Sequence, residues 1–269
     1  MYPKISIVTV SYNQVEFIED NIRSVINQNY PNIEHIIIDA GSTDGTIEIL
    51  KKYDKYINWI SEPDNGQSDG LNKGFKKATG DIIGWINSDD KLAESALDRV
   101  VKFFQRNPDE IAVVGDIQLI SEKGKKVRVI KGKSYEYKKM LEVERGVTQP
   151  STFFKQLVFK KIGYINTSYH YAMDFDFFLR MSSIKSIPHI DKTLAEFRLQ
   201  PNAKTTNGLK DFRKEHLKIA LNSGAFIFSK GIQSDIYVIL TDPLRNISWI
   251  RNKIRSIKGL PPYSEERFN

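Results

Sequence analysis

Two adjacent carboxylates at the end of an apolar segment are the first feature of this sequence that could do chemistry. The segment DIIGWIN runs directly into Ser88, Asp89 and Asp90. The chain has no cysteine and no closely spaced histidine pair, so a metal ion would need oxygen ligands. Paired carboxylates suit a hard divalent cation, Mn²⁺ or Mg²⁺, that also bridges to phosphates. We predict a metal site at Asp89 and Asp90. The alternative is that one of them caps the following helix, LAESALDRVVKFF.

A second acidic segment, YAMDFDFFLRM, alternates Asp174 and Asp176 with aromatic residues. Both are candidates for carboxylates in a partly apolar pocket. The alternative is that they begin the helix FDFFLRM, where negative charge favours the positive end of the helix dipole. We prefer this structural interpretation for Asp176 but not for Asp174.

Alternating strand and helix patterns in the first 90 residues would position these groups. The predicted strands are KISIVTVSYN, EHIIID, INWISEPD and DIIGWIN, and the predicted helices between them are VEFIEDNIRSVINQ, IEILKKYDKY and SDGLNKGFKKAT. Each strand is a continuous apolar run, which is typical of a parallel sheet covered by helices on both faces. The sequence therefore predicts an α/β fold.

Polar residues cluster where these strands end. They are Thr9, Ser11 and Asn13 after the first strand, Asp39 after the second, Asp64 and Asn65 after the third, and Asn87, Ser88, Asp89 and Asp90 after the fourth. Each alone fits turn chemistry. Together they predict a ligand site, because parallel α/β sheets bind ligands at the carboxyl ends of their strands.

The first strand is followed by SYNQ, which contains no glycine. Neither the G-x-G-x-x-G dinucleotide motif nor the G-x-x-x-x-G-K-[ST] phosphate loop is present there, which disfavours a dehydrogenase or a P-loop NTPase. A bound phosphate must therefore be neutralised in another way, and the predicted cation would do so.

Composition limits the possibilities further. The 269 residues are 40% hydrophobic and 27% charged, as in ordinary globular proteins, and no apolar run reaches the ~18 residues of a membrane span. With no signal-like start, we expect a cytoplasmic protein. The formal net charge of +7 suggests a polyanionic partner, such as nucleic acid, an anionic membrane surface or a phosphorylated substrate, although a solvated basic surface would give the same charge.

Five ordered blocks then point to a family: TVSYN, IIIDAGSTDGT, EPDNGQSDGLNKGFKKATGDIIGWINSDD, QPSTFF and MDFDFFLR. Across residues 4–205 the sequence resembles a bacterial family 2 inverting glycosyltransferase with the GT-A fold, of the cell-surface polysaccharide type. The resemblance implies a catalytic domain over 1–205, with a nucleotide-binding half at 1–90 and an acceptor half at 91–205.

The resemblance also implies roles for individual residues. Asp89 is the metal ligand, with Asp90 behind it, and Asp174 is the catalytic base. Asp39 accepts a hydrogen bond from the nucleobase, typically the N3–H of uracil. Gln149 faces either the donor sugar or the acceptor, and the alternative for Lys73 is a surface role. The remaining nucleotide-sugar contacts, with these two, are Thr9, Ser11, Asp69, Lys73, Ser88 and Gln149.

Two positions depart from the family pattern. Asn87 stands in NSDD where the family has its first aspartate, and Gln200 replaces the usual histidine after LAEFR. Gln200 can contribute only a neutral hydrogen-bonding amide. Arg198 and Lys204 remain as candidate phosphate partners, with surface roles as the alternative.

The last part of the chain lies outside the resemblance, and we predict that residues 206–269 form a helical, basic extension. One helix covers LKDFRKEHLKIALNSGAFIF, and a second begins with Asp242 as N-cap and Pro243 at its first position. Residues 243–264 hold five basic residues and no acidic one. The second helix, over 243–258, has the pattern of an interfacial helix on an anionic membrane, and equally that of an amphipathic helix packed on the protein.

The predicted function is metal-dependent, inverting transfer of a hexose from a nucleotide sugar, a UDP-sugar, to a glycan or lipid-linked acceptor at the inner face of the cell membrane. A sugar nucleotidyltransferase is one alternative, but it usually has a glycine-rich loop with basic residues after strand one. A nucleic-acid-binding protein would explain the charge but would not need Asp39, Asp89, Asp90 and Asp174. No nucleic acid is therefore expected as a partner.

Overall fold

The computed structural model describes residues 2–143, 146–200 and 208–245, with side chains up to residue 241. Within these ranges nine strands form one sheet. They are β1 (Ile5–Ser11), β2 (Ile33–Asp39), β3 (Asn58–Ser61), β4 (Ile82–Trp85), β5 (Lys91–Leu92), β6 (Ala112–Ile120), β7 (Lys126–Ile130), β8 (Thr152–Lys155) and β9 (His189–Arg198).

The same ranges contain nine α-helices and a short 3-10 helix, Gln149–Ser151. The α-helices are α1 (Ile18–Ile26), α2 (Thr46–Lys52), α3 (Gln67–Lys77), α4 (Ala96–Arg106), α5 (Tyr137–Glu142), α6 (Leu157–Ile162), α7 (Met173–Ile184), α8 (Leu209–Asn222) and α9 (Lys230–Arg245). Among these described residues, no helix is long and apolar enough to cross a bilayer.

The strand order is β3-β2-β1-β4-β8-β6-β9-β5, with β7 paired to β6. The first four strands are parallel neighbours, as the sequence predicts. Beyond β4 the sheet becomes mixed: β8 is antiparallel to both β4 and β6, whereas β9 is parallel to β6. The change follows from connectivity, because β6 returns through a tight turn into β7 rather than through a crossover helix.

Helices cover both faces of the parallel half, because successive side chains of a strand point to opposite faces. Ile5 and Ile7 of β1 share a core cluster with residues of α1 and α4. Val8 and Val10 instead pack in a cluster with Leu71 of α3 and with several residues of α7. The parallel α/β half predicted from the apolar strand runs is therefore confirmed.

The helix start predicted at Asp242 is wrong. Helix α9 already runs from Lys230 and continues through Asp242 and Pro243 to Arg245. Ile232 and Asp235 of this helix are buried, and Asp235 pairs with Arg213 of α8. This packing is not visible in the capping residues of the sequence, and it places the first helical residue thirteen positions earlier, at Lys230 rather than Pro243. Residues 246–258 lie outside the described ranges, so the membrane contact expected over 243–258 stays a prediction.

Gly80 is the point where the chain leaves α3 and passes β1, and its packing gives a test of the fold. A Cβ atom at Gly80 would lie 2.6 Å from the backbone nitrogen of Ser6 and 2.9 Å from the carbonyl oxygen of Lys4. Unlike the end of a flexible side chain, these backbone atoms cannot move away from the added Cβ atom without shifting the chain. We expect Gly80→Ala to lower the free energy of unfolding by about 1–3 kcal/mol in urea titrations.

Gly146→Ala is the matched control, because a Cβ atom there meets nothing within 4 Å. We expect this variant to lose less than about 0.5 kcal/mol. Equal stability of the two variants would contradict the close approach of this loop to β1.

Candidate active site

The carboxyl ends of the parallel strands lie level with one another and form what we call the carboxyl rim. Ser11 at the end of β1 is opposite Asp39 of β2, and Asp39 is in turn opposite Ser61 of β3. Strand β4 continues through Ile86, whose N–H donates to the carbonyl oxygen of Val8 at 3.0 Å. The polar segment after β4 therefore reaches the same rim, as the sequence predicts.

Asp90 lies in a turn at this rim, closed by a hydrogen bond from its N–H to the carbonyl oxygen of Asn87. The side chain is 1% exposed. Its Oδ1 accepts the backbone N–H of Arg198 at 2.9 Å, and its buried Oδ2 has no hydrogen-bond partner. Helix α4 begins at Ala96 without a side-chain cap. The alternative that Asp89 or Asp90 caps this helix is therefore wrong.

Ionisation of the two adjacent carboxylates is unfavourable in this environment. Burial raises the pKa of Asp89 above its usual value. Burial and the neighbouring charge of Asp89 raise the pKa of Asp90 well above its usual value, while the Arg198 charge acts in the opposite direction. Ionising both groups therefore costs free energy in the absence of a further cation.

Arg198 is the buried cation beneath this pair, with 2% of its surface exposed. Its Nε donates to the carbonyl oxygen of Asp89 at 2.8 Å, and its Nη2 contacts Asp20 of α1 at 2.9 Å. Its Nη1 donates to the carbonyl oxygen of Glu122, and the guanidinium lies 4.9 Å from the ring centre of Phe17. The structure thus places Arg198 inside the protein as a support for the Asp89 turn.

Gln200 also reaches the carboxylate pair. Its Nε2 donates to Oδ2 of Asp89 at 2.7 Å, so the amide that replaces the family's histidine contacts the predicted metal ligand. Lys204 lies outside the described residues. In the described ranges no three His, Asp or Glu side chains form a metal-binding group. Asp89 and the unpartnered Oδ2 of Asp90 nevertheless fit part of an oxygen ligand set that a diphosphate and water would complete.

A network of amides joins the rim to the QPST segment. Gln149 Nε2 donates to the carbonyl oxygen of Trp85 at 2.6 Å, and its Oε1 accepts from Asn87 Nδ2 at 3.3 Å. Gln67 of α3 donates to Oδ1 of Asn87 at 3.1 Å. Ser88 is buried next to Asn87 in the chain. The first turn of α3, the segment after β4 and the QPST segment therefore meet around Asn87.

Thr9 lies below the rim, fully buried. Its Oγ1 is 3.0 Å from Nε2 of His35 and 3.4 Å from Oδ1 of Asn21. Burial lowers the pKa of His35 to about 3, so this imidazole stays neutral. Asn21 in turn donates to the carbonyl oxygens of Asn87 and Asp90, both at 2.9 Å. Thr9 therefore contributes to the order of the turn that carries the carboxylate pair.

The other two predicted residues at the ends of β1 and β2 differ in their remaining hydrogen-bonding capacity. Ser11 is buried and its Oγ has no partner. Asp39 is also fully buried, but its Oδ2 accepts the N–H groups of Gly41 and Ser42 and the hydroxyl of Ser61, and its Oδ1 accepts the Ser42 hydroxyl. Asp39 thus folds the loop that follows β2.

Asp69 and Lys73 lie together on the first half of α3. Asp69 Oδ2 accepts the backbone N–H of Asn65 at 3.1 Å and is 3.7 Å from Lys73 Nζ. Lys73 makes a closer ion pair with Glu62, at 2.8 Å, and this contact raises the pKa of its ammonium group. Both side chains are partly exposed at the edge next to β3.

Asp174 is in the first turn of α7, half-buried. Its Oδ1 accepts the N–H of Phe175 at 2.7 Å. Burial, with a smaller contribution from the charge of Glu215, raises the pKa of Asp174 to about 6. Asp176 differs, because its Oδ2 accepts from both Nε and Nη2 of Arg180, at 2.9 and 2.7 Å. The two aspartates therefore have different surroundings, as the sequence interpretation expects.

Two contacts bring the start of α7 towards the rim. Ser68 Oγ donates to the carbonyl oxygen of Tyr169 in the loop before α7, at 3.0 Å. The preceding residue, Gln67, contacts Asn87 at the rim. Asp174 and the carboxylate pair are thus connected through the first turn of α3.

Glu215 of α8 is a site residue that the sequence analysis missed. Its Oε1 accepts the N–H of His170 at 2.9 Å, and its Oε2 accepts the N–H groups of Tyr171 and Ala172, both at 2.8 Å. These three amides directly precede α7. The contact has no sequence signature, because its donors are backbone groups more than 40 residues away.

Comparisons with known proteins were made for the whole chain. The family model described as "Glycosyl transferase family 2" matches residues 6–184. Bacillus subtilis TuaG, a putative teichuronic acid biosynthesis glycosyltransferase, is 34% identical over 42% of this chain and 46% of its own length. An uncharacterised glycosyltransferase of Haemophilus influenzae is 26% identical over 96% of this chain and 84% of its own.

Solved structures with this fold include S. aureus TarS and the mannosyltransferase PcManGT of Pyrobaculum calidifontis. The TarS 1-349 complex with UDP-GlcNAc has a TM-score of 0.63 at 17% identity, covering 94% of this chain and 73% of that one. PcManGT with GDP-Man and Mn²⁺ has a TM-score of 0.62 at 17% identity, covering 89% and 70%. In the match to a longer TarS chain, this chain spans 45% of that length, about the same share as with TuaG.

These findings confirm the resemblance and the GT-A fold, and they favour sugar transfer over the two alternatives weighed from the sequence. The family model covers well over half of the chain and includes the rim, the carboxylate pair and the first helix turn that carries Asp174. The chain belongs to glycosyl transferase family 2.

Proposed function

We propose that the protein is a metal-dependent, inverting hexosyltransferase that moves a sugar from a UDP-sugar to a glycan or lipid-linked acceptor in cell-surface polysaccharide synthesis. The observation that carries this proposal is that three carboxylates with raised pKa values lie in two different surroundings. Asp89 and Asp90 form an adjacent pair with an unpartnered oxygen, and Asp174 stands apart with a pKa of about 6. Cation binding and proton removal need these two different environments.

Inverting transfer is a single displacement. The acceptor oxygen forms a bond to the anomeric carbon while the bond from that carbon to the diphosphate oxygen breaks on the opposite side. The proton of the attacking hydroxyl moves to a base, and Asp174 is the residue to which we assign this role. Above pH 6 its carboxylate is ionised in most molecules and can accept the proton.

Asp89, with Oδ2 of Asp90, would hold the Mn²⁺ or Mg²⁺. When bound there, such an ion neutralises the charge of the diphosphate. The surrounding residues fix the two carboxylates: Gln200 orients Asp89, while Arg198 and Asn21 hold the turn.

Nucleotide-sugar binding is assigned to the rest of the rim. The unpartnered hydroxyl of Ser11 offers a hydrogen bond to the donor. Ser88 and Gln149 lie close to Asn87 and are assigned to the ribose and to the sugar or acceptor. Asp39 is assigned as the acceptor for the nucleobase N3–H, because its Oδ1 accepts only the Ser42 hydroxyl among the described residues. Thr9 contributes to the nucleotide pocket through the turn that it orders, and Asp69 and Lys73 line the edge near β3.

The names of related proteins support the choice of donor and acceptor. TarS was crystallised with UDP and with UDP-GlcNAc, and PcManGT with GDP-Man and Mn²⁺. TuaG is named for teichuronic acid, a polysaccharide. A location at the inner face of the cell membrane, with contact to anionic lipid through residues 243–258, is part of the same proposal.

Asp89→Asn tests the metal site. A neutral amide is a weaker cation ligand of nearly equal size, so we expect the Mn²⁺-dependent part of UDP affinity to fall at least about tenfold. Calorimetric titration of UDP with and without Mn²⁺ measures this effect. The unliganded variant should stay folded, because the substitution removes a carboxylate whose ionised form is disfavoured by burial.

Asp98→Asn is the control for this titration, because Asp98 is an exposed residue of α4 paired with Lys102. It should bind UDP and Mn²⁺ as the unchanged protein does. If Asp89→Asn kept the full Mn²⁺ dependence, Asp89 would not be a metal ligand.

Asp174→Asn tests the base. We expect donor affinity within a few-fold of the unchanged protein but turnover lower by roughly 10²–10⁴. Slow hydrolysis of the UDP-sugar, with water as acceptor, can be followed by UDP release. In the unchanged protein kcat should fall below pH 6, about tenfold per pH unit, because the base becomes protonated.

Asp176→Asn is the comparison variant. It breaks the contact with Arg180 and should reduce stability with little effect on turnover. If Asp176→Asn were inactive while Asp174→Asn kept full activity, the base would be misassigned by two residues.

Glu215→Gln tests whether α8 controls the base. Removing the negative charge lowers the pKa of Asp174, because Glu215 now raises it. The acid limb of the pH–rate profile should therefore move to lower pH. The Gln amide group also has only one acceptor oxygen for three N–H donors, so kcat at high pH should fall as the loop loses order.

Asp211→Asn is the matched control on α8, since Asp211 is exposed and pairs only with Lys214 among the described contacts. Its profile should coincide with that of the unchanged protein. An acid limb that stays in place in Glu215→Gln would show that Glu215 does not act on the base.

A further inference from the structure

The tip of the hairpin formed by α8 and α9 exposes three consecutive large apolar side chains. Phe226, Ile227 and Phe228 are 61%, 58% and 71% exposed. The two phenyl rings contact each other edge-to-face, with centres 5.6 Å apart, so they form one apolar projection that we call the hairpin tip. Contiguous exposed apolar surface of this kind marks an interaction site.

The apolar surface continues from the hairpin tip along α9. Gln233 Nε2 donates to the carbonyl oxygen of Phe228, which fixes the tip against the first turn of the helix. Ile236, Tyr237 and Leu240 then follow at helical spacing and are all exposed, Leu240 by 70%. An adjoining side of α9 is buried through Ile232 and Asp235. The outer side is therefore an apolar row, on a helix about 24 Å long by its 16 residues.

The sequence around this surface is more basic than acidic. Between residues 216 and 264 the acidic residues are Asp235, which is fully buried and paired with Arg213, and Asp242, near the end of α9. Lys230 follows the hairpin tip and is exposed, and Lys218 of α8 is exposed with its Nζ 5.7 Å from the ring centre of Tyr169. The sequence that follows, 243–264, adds five basic residues and no acidic one. The partner must therefore accept apolar groups and carry negative charge.

We propose that the α8–α9 hairpin docks on an anionic lipid bilayer, with Phe226–Phe228 inserted at the interface and α9 lying along the membrane plane. Apolar side chains enter the boundary between headgroups and acyl chains, and lysines beside them attract anionic lipids. This surface differs from the segment predicted over 243–258, which it shares only at residues 243–245 at the end of α9.

Docking here has a consequence for catalysis, and this step rests on the proposed function. Glu215 of α8 holds the three amides that precede α7, so the lipid-bound hairpin is joined directly to the helix that carries Asp174. A lipid-linked acceptor would be presented from the same membrane surface.

The absence of cysteine from the chain allows a direct test. Phe228→Cys and Tyr237→Cys, each labelled with an environment-sensitive dye, are mixed as full chains with phosphatidylcholine vesicles containing about 30% phosphatidylglycerol. Both labels should shift to shorter emission wavelength, because both enter the interface. A label at Tyr56→Cys, which is equally exposed but lies before β3, should not change.

Co-sedimentation with the same vesicles gives the strength of docking. Phe226→Ser/Phe228→Ser should bind at least about tenfold more weakly, because the apolar contribution is lost. Tyr2→Ser/Tyr56→Ser, with similar exposed fractions, should bind as the unchanged chain does. Pure phosphatidylcholine vesicles should bind weakly, since attraction to the lysines is missing.

Three results would overturn the proposal. If Phe226→Ser/Phe228→Ser bound the vesicles as strongly as the unchanged chain, the lipid contact would be assigned to residues 243–264 instead. The label at position 228 could instead be buried in the absence of vesicles while the molecular mass of the protein in solution is twice that of one chain. In that case the surface would be an interface between two copies. Absence of vesicle binding would exclude docking altogether. The assay contains no nucleotide, so its outcome is independent of whether the protein binds UDP-sugars.

Discussion

The burial of a guanidinium group under two adjacent carboxylates is the interaction on which the rest of the site depends. Arg198 ends β9, and its side chain contacts α1 and the turn after β4. It therefore ties β9 to α1. Removing one partner from a buried charge network usually costs several kcal/mol, because the remaining charges stay desolvated. The position of Asp89 and Asp90 is thus set by a contact that also joins strands and helices distant in the sequence.

The same network leaves the carboxylate pair incompletely neutralised. Arg198 offers Asp90 only its backbone N–H, and its guanidinium donates to the carbonyl oxygen of Asp89 rather than to the carboxylate. Oδ2 of Asp90 stays without a partner and the pKa of both acids stays raised. A guanidinium that paired directly with both carboxylates would stabilise the fold and compete with a metal ion. The observed arrangement leaves Oδ2 of Asp90 available to the cation proposed above, at a cost in stability.

Sequence patterns predicted those features that depend on local periodicity and on residue type. The β-branched runs gave the four parallel strands, and the strand ends gave the positions of Asp39, Asp89 and Asp90 at one rim. Patterns could not tell that Asp39 already accepts four hydrogen bonds, because its donors are two backbone amides and two serines selected by the fold of a loop.

The misplaced start of α9 has a similar physical origin. Asp242 and Pro243 are good start signals, but packing of Ile232 and Asp235 on α8 extends the helix from Lys230. Glu215 was not predicted as a site residue, because a single glutamate on an amphipathic helix forms no local sequence pattern. The start of α9 and the role of Glu215 both depend on contacts between elements that are distant in the sequence.

Glu215 also acts on the pKa of Asp174, a carboxyl group at a helix start. The amino end of a helix carries partial positive charge, which by itself stabilises an ionised Asp174 and lowers its pKa. Glu215 places a full negative charge on the N–H groups of His170, Tyr171 and Ala172, just before that end. Burial is the main cause of the raised pKa of Asp174, about 6, and the charge of Glu215 adds a smaller contribution. The helix that supplies this charge lies beyond the region matched by the family model, which ends at residue 184. The pKa of Asp174 is therefore influenced by an element outside that region, and a change in the α8–α9 hairpin can reach Asp174 through one carboxylate.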